Sequence, residues 1–152
     1  MKKIKQKVYL DTSVYNRPFD EQSQTRVKLE TEAFLTILEK ALSGRIIVVS
    51  SSALEYENSR NPFPERKGRV ADYLSCATVF VKLNETVKVR ALFHEKSGID
   101  PVDALHIAHA ESAEAAYFVT CDDMLMKKAK RMKKQIKTEV CNPLEFVLKE
   151  VL

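Results

Sequence analysis

The sequence predicts an α/β protein, a three-layer α/β/α sandwich around a central, mostly parallel sheet of about five strands. Three observations carry that expectation. Short runs rich in β-branched and aromatic residues recur along the chain, and each is followed by a longer stretch with apolar residues at helical spacing. "IIVV" at 46–49 is apolar without alternation, as in a strand covered on both faces. Strands joined through helices in this way form parallel crossovers that place helices on both sides of a sheet.

Each element has its own justification. "KVYL" (7–10) is the first strand, with Val8 and Tyr9 β-prone. From Thr25 to Ser43 the apolar positions Val27, Phe34, Leu35, Leu38, Ala41 and Leu42 mark an amphipathic helix that Gly44 stops. "RIIVV" is the second strand. In "SSSALEYENSR" a serine before an apolar and acidic run starts a helix by capping free N–H groups. The prolines of "NPFPERKG" break the chain, and a helix is expected from about Glu65 to Cys76. "TVFVKL" is the third strand. "NETVKVRALFHEKSG" follows as a capped helix, although Val87 and Val89 are poor helix formers. "IDPVDALHIAHAESAEA" is a helix with Asp100 as cap and Pro101 at its first position, burying Ala104, Leu105, Ala108 and Ala115. "AYFVT" is the fourth strand, "DDMLMKKAKRMKK" a short basic helix and "IKTEV" the fifth strand. "NPLEFVLKEVL" is a closing helix capped by Asn142.

The composition suits one domain over 1–152. Of 152 residues, 45% are hydrophobic and 30% charged, and only three are glycine, which argues for a real core and against flexible linkers or disorder. No apolar run approaches the roughly 20 residues that span a bilayer. The lysines near the amino end are not followed by a signal-like apolar stretch. A cytoplasmic protein with no membrane partner is expected. Cys76, Cys121 and Cys141 are odd in number and widely spaced, which fits neither a disulfide scaffold nor a zinc knuckle, and Cys76 and Cys141 are expected to be buried. The net charge of +4 permits attraction to phosphates without establishing it.

The chemistry lies at the strand ends. In open parallel sheets, ligands collect beyond the carboxyl ends of the strands. Asp11 ends the first strand, Glu55 and Glu57 follow the second, Asp103 opens the alanine-rich helix, and Asp122 and Asp123 follow the fourth strand. Taken singly, each is explained as a helix cap, a partner for the positive end of a helix or a solvated side chain. Their recurrence at successive strand–helix junctions is what points to a site. Carboxylates gathered at one edge raise at least one pKa unless a cation compensates. Oxygen ligands without thiolates or clustered histidines favour Mg²⁺ or Mn²⁺, as one ion or two.

With these residues in view, the chain resembles the PIN-domain family of metal-dependent nucleases, which includes VapC-like toxin ribonucleases. "VYLDTSVYN", "DALHIAHA" and "VTCDD" in order carry the resemblance, and "CNPLEFV" is similar to the family's closing strand-to-helix passage. It covers nearly the whole chain, with the middle the poorest part. The resemblance implies a ribonuclease that hydrolyses RNA phosphodiester bonds. Asp11, Glu55, Asp103 and Asp122 would be its catalytic and metal-holding acids, with Glu57 as the alternate to Glu55 and Asp123 as a spare. Thr12, Ser13 and Thr120 would support from behind, with Asn16 as an outer contributor. It also implies Mg²⁺ or Mn²⁺ as cofactor and RNA as substrate. An antitoxin protein becomes a candidate partner and a homodimer a candidate assembly. The family also contains members whose acid set has decayed, so a catalytically silent module binding protein or RNA is the alternative.

Histidines and basic residues add further candidates. His106, three residues beyond Asp103, is close enough on the helix to approach the acids, and an Asp–His–His metal site is a formal option. His109 is expected in helix packing and His94 on the surface. Ser13 has no glycine elbow of the Ser–His–Asp type. "LDTS" lacks the second aspartate that a haloacid-dehalogenase-like enzyme needs. Lys127, Lys128, Lys130, Arg131, Lys133 and Lys134, with Arg17, are candidates to meet an RNA backbone, against the plainer reading of a solvated helix face.

Overall fold

In the computed structural model, which describes residues 5–152, strand β1 (Lys7–Leu10) occupies the middle of the sheet. Beside it lie β2 (Ile47–Ser51) on one side and β4 (Tyr117–Val119) on the other. The outer positions belong to β3 (Val79–Val81) and β5 (Glu139–Cys141), giving the order β3-β2-β1-β4-β5 with every pair parallel. Val8 pairs with Val48 and with Tyr117, so the central strand is covered from both edges. Lys2 and Lys3, two of the lysines near the amino end, lie outside the described residues.

The helices complete a three-layer α/β/α sandwich. They are α1 (Thr12–Asn16), α2 (Thr25–Leu42), α3 (Ser52–Ser59), α4 (Pro64–Leu74), α5 (Glu85–Lys96), α6 (Pro101–Ser112), α7 (Asp123–Arg131) and α8 (Pro143–Glu150). Phe34 of α2 meets Tyr15 of α1 and Tyr73 of α4 edge-on, and α8 packs on α2. Helices α5 and α6 form a second tightly packed pair. Between the layers lies one continuous apolar core that includes Tyr9, Leu10, Phe34, Phe118 and Phe146, all fully buried. Tyr9 stacks on Phe118 across neighbouring strands, at 5.4 Å between centroids.

Several local expectations change. The segment after β1, to which the sequence assigns no element, has structure of its own. It turns at once into α1 and a 3-10 turn over Arg17–Phe19, too short for a periodic signal. The fifth strand sits at Glu139–Cys141, later than "IKTEV", because Lys137 N–H is taken by Glu111 and pairing with β4 begins only at Glu139. Helix α5 forms despite its β-branched residues, because Val87 is buried under it while Val89 stays in solvent. Leu35 and Leu42 face solvent. Cys76 is only half-buried, while Cys121 and Cys141 are buried. Asp100 occupies the cap position of α6 without a capping bond from its side chain, and Lys128 reaches it at 3.4 Å. His94 is fully buried, not on the surface, with Nε2 2.7 Å from Glu111. Among the described residues no helix is long and apolar enough to cross a membrane.

Candidate functional site

The strand order reverses direction at β1. Chain leaving β1 goes to β2 on one side, and β4 closes on the other. The crevice beyond the carboxyl ends of β1 and β4 is therefore the switch point where ligands bind in open parallel sheets. Both strands deliver acids there. Asp11 follows β1 directly, with its N–H bonded to Val119 O at 2.9 Å. Its side chain is 5% exposed and well supplied with donors. Oδ1 accepts from Thr12 N at 2.9 Å, and Oδ2 accepts from Thr120 Oγ1 at 2.8 Å and Ser13 Oγ at 3.0 Å. Ser13 Oγ in turn accepts from Cys121 N. Two strand ends are thus tied together through one carboxylate and two hydroxyls, and one oxygen direction is fixed.

Asp122 and Asp103 stand on either side of this group. Asp122 is exposed and caps α7, its Oδ1 accepting from Met124 N and Leu125 N. Thr120 Oγ1 accepts from Asp122 N at 3.1 Å, so one hydroxyl links the two acids. Asp103, in the first turn of α6, accepts no hydrogen bond among the described residues. Burial, and then the charges of Asp11 and Asp122, push its pKa up to about 6. Asp103 thus feels the charges of both strand-end acids.

The acid from α3 that joins this edge is Glu57. Leu54 is buried, and residues three and four further on share its side of the helix, so Glu57 and Asn58 turn inward. Glu55 falls on the other side. It is exposed and lines a separate depression with Ser50, Lys67 and Phe80. Glu57 Oε1 accepts from Thr12 Oγ1 and lies 2.6 Å from His106 Nε2. The Nδ1 of His106 is 2.7 Å from the Tyr9 hydroxyl, which is 2.6 Å from Ser51 Oγ. Nε2 is the nitrogen that faces the Glu57 carboxylate, while the Nδ1–Tyr9 and Tyr9–Ser51 contacts can each carry their hydrogen on either partner. Nε2–H donates to Glu57, and at the far end of the chain Ser51 Oγ accepts from Leu54 N and so caps α3. The electrostatics agree. Burial opposes the charged imidazole, but Glu57 and Asp11 outweigh it and raise its pKa. Burial likewise works against the Glu57 carboxylate, yet the bonds from His106 and Thr12 bring its pKa below the ordinary value. Burial above all, with Asp11 nearby, keeps the Tyr9 phenol neutral.

The remaining candidates divide. Asn16 donates to Thr12 O and accepts from Asn61, closing α1 rather than meeting Asp11. Asp123 grips Arg26 through both oxygens, at 2.6 and 2.7 Å. Arg17 is ion-paired to the buried Glu30 at 2.6 Å and to Asp20 at 3.2 Å. On and after α7, Lys127, Lys130, Arg131, Lys133 and Lys134 are exposed, while Lys128 leans toward Asp100. His109 is buried and bonded to Leu105 O, as packing requires. The Tyr9–His106–Glu57 chain had one sequence signal, the three-residue step from Asp103 to His106. The part of Tyr9 carried none, because its partners come from three separate elements.

Among the described residues, no three of His, Cys, Asp and Glu are arranged to hold a metal ion. Three of the acids are engaged elsewhere: Asp11 by Thr12, Ser13 and Thr120, Asp122 by the first turn of α7, and Glu57 by Thr12 and His106. The donor chemistry still suits a hard cation. The donors are carboxylate and hydroxyl oxygens, and burial drives the nearest thiol, Cys121, up to about 12, which keeps it protonated.

The chain belongs to the PIN domain family, whose model matches residues 8–131. Among solved structures it is similar to a chain of VapBC2 from Rickettsia felis, crystallised with a DNA fragment from their promoter. That likeness has a TM-score of 0.59 at 16% identity and covers 90% of this chain and 98% of the other. It establishes a shared fold. No curated protein sequence matches.

Proposed function

We propose that this protein is a divalent-metal-dependent ribonuclease that hydrolyses RNA phosphodiester bonds. What supports it most is a group of acids from separate elements at the switch point of a parallel sheet: Thr120 Oγ1 donates to Asp11 and accepts from Asp122 N, and burial with the charges of both acids raises the pKa of Asp103. Such a group is costly to a fold and is relieved by a cation. Asp11, Asp103 and Asp122 would hold Mg²⁺ or Mn²⁺, with Glu57 rather than Glu55 as the fourth acid. Bound there, the ion would supply Lewis-acid charge to the phosphoryl oxygens and lower the pKa of water. Thr120 and Ser13 keep Asp11 oriented. His106 holds Glu57 ionised and limits its swing. The exposed lysines and Arg131 of the α7 region would follow the RNA backbone. The likeness to a VapBC2 chain makes the toxin of a toxin–antitoxin pair the finer proposal, with an antitoxin protein as partner and a homodimer as assembly.

The test is cleavage of mixed single-stranded and structured RNA by purified protein with Mn²⁺, Mg²⁺ or chelator. Cleavage should require the metal and fall to background in Asp11→Asn, and calorimetry should show divalent uptake that the variant loses. Equal cleavage by the variant, or absence of metal uptake at neutral pH, would leave the silent binding module as the better account.

A further inference from the structure

Beyond Glu57 the acid edge opens into a groove of about 570 Å³, bounded by Thr12 and Glu57 on one side and by the α3–α4 loop on the other. Two aromatic rings stand in it largely uncovered, Tyr56 at 62% and Phe63 at 57% exposure. Each has an arginine against it. The Arg60 guanidinium lies 5.7 Å from the Tyr56 ring centre and donates to its hydroxyl at 3.2 Å. Arg66 lies 4.9 Å from Phe63 and 5.4 Å from Phe19, and donates to Phe19 O. Among the described residues neither arginine has a carboxylate within ion-pairing distance.

The platform is held in place. Asn61 accepts from Phe63 N and donates to Asn16, which is itself bonded to Thr12 O. The aromatic loop is thereby fixed relative to the residue that follows Asp11. Flat apolar faces beside cations that no carboxylate neutralises, next to an edge suited to a phosphate, match a strand that alternates bases with phosphates. A duplex buries its base faces and cannot use them.

We propose that Tyr56 and Phe63, with Arg60 and Arg66, form a subsite that stacks the unpaired bases of single-stranded RNA flanking the phosphate at the acid edge. The subsite rests on the nuclease reading above.

Binding is measured in the Asp11→Asn chain, by fluorescence anisotropy of a short labelled single-stranded RNA and of a duplex of equal length. Tyr56→Ala and Phe63→Ala should each weaken single-strand binding on the order of tenfold and leave duplex binding unchanged, while Tyr56→Phe and Phe63→Tyr retain it. Both rings are exposed, so folding is checked simply by the melting temperature. Unchanged single-strand binding in the alanine variants overturns the subsite, as does an equal decrease for both RNAs. An alanine variant that binds RNA normally but changes its mass by light scattering marks a protein contact instead, and also overturns it. The two readings fail separately. Metal- and Asp11-dependent cleavage at wild-type rate by the alanine variants removes the subsite alone. Ring-dependent single-strand binding with no cleavage by wild type removes the nuclease alone.

Discussion

Asp103 stores more unfavourable charge than its position in a first helical turn explains. An acid whose folded pKa is raised costs stability as the pH climbs from its ordinary 3.8 through about 6. At pH 7 that cost is fully present, and below about pH 4 it is gone. Asp103→Asn should therefore make the metal-free protein more stable at neutral pH by about 1–2 kcal/mol, with some of the nominal shift lost to its partial exposure. The gain should vanish in acid. Chemical denaturation at the two pH values measures it. Mn²⁺ should raise the melting temperature of wild type and not of the variant. A variant no more stable than wild type at pH 7 would mean that the carboxylates do not feel one another. Asp11, Asp103 and Asp122 were legible as candidates because each is placed by backbone position alone, at a strand end or a helix start. Glu57 was harder. Choosing between two glutamates two residues apart requires knowing which way α3 faces, and Leu54 supplies that only once it is known to be buried.

Among elements, α5 and α6 are locked by a buried charged group that no motif announced. Glu111 of α6 has a side chain 3% exposed and accepts from Arg90 at 2.8 Å, with His94 at 2.7 Å, both from α5. It also accepts from Lys137 N, beyond α7. Burial alone would raise its pKa, but His94, Arg90 and that N–H overcome it and hold it at about 2. A depressed acid stabilises the fold above its unfolded value and loses the contribution as pH falls, here from 4.5 toward about 2. We expect on the order of 2–3 kcal/mol to disappear across that window. Urea midpoints should fall steeply there for wild type, and Glu111→Gln, weaker at neutral pH, should converge on it in acid. Parallel curves for the two proteins would show that the group does not control acid stability. His94 was expected at the surface because its burial depends on Glu111, seventeen positions away on a separate helix.

For the whole molecule, acids follow the carboxyl ends of β1 and β4 while the exposed face of α7 is basic. Arg17 and Lys128, counted with the basic residues from the sequence, are drawn to Glu30 and Asp100. Within α7 itself, the free contribution to RNA binding should come from Lys127, Lys130 and Arg131. Replacing these three with glutamate should weaken RNA binding broadly across sequences. It should also reduce the salt dependence by roughly 0.7 in log–log slope for each phosphate no longer neutralised. The melting temperature should hardly move, since the side chains lie in solvent. An unaltered salt slope would return α7 to a merely solvated face.

The sequence by itself determined the alternation of strands and helices, the parallel sheet and the family resemblance that the PIN domain match bears out. Those features are local: periodicity, caps and breakers act within a few residues of one another. Tertiary structure alone decided which glutamate meets Thr12 and that Tyr9 and His106 connect Ser51 to Glu57. It also decided that the α3–α4 loop stands beside the acid edge. Each of these joins side chains from different strands and helices. Their meeting is fixed by the packing of the sheet and its two helical layers, a long-range property that no window of sequence contains.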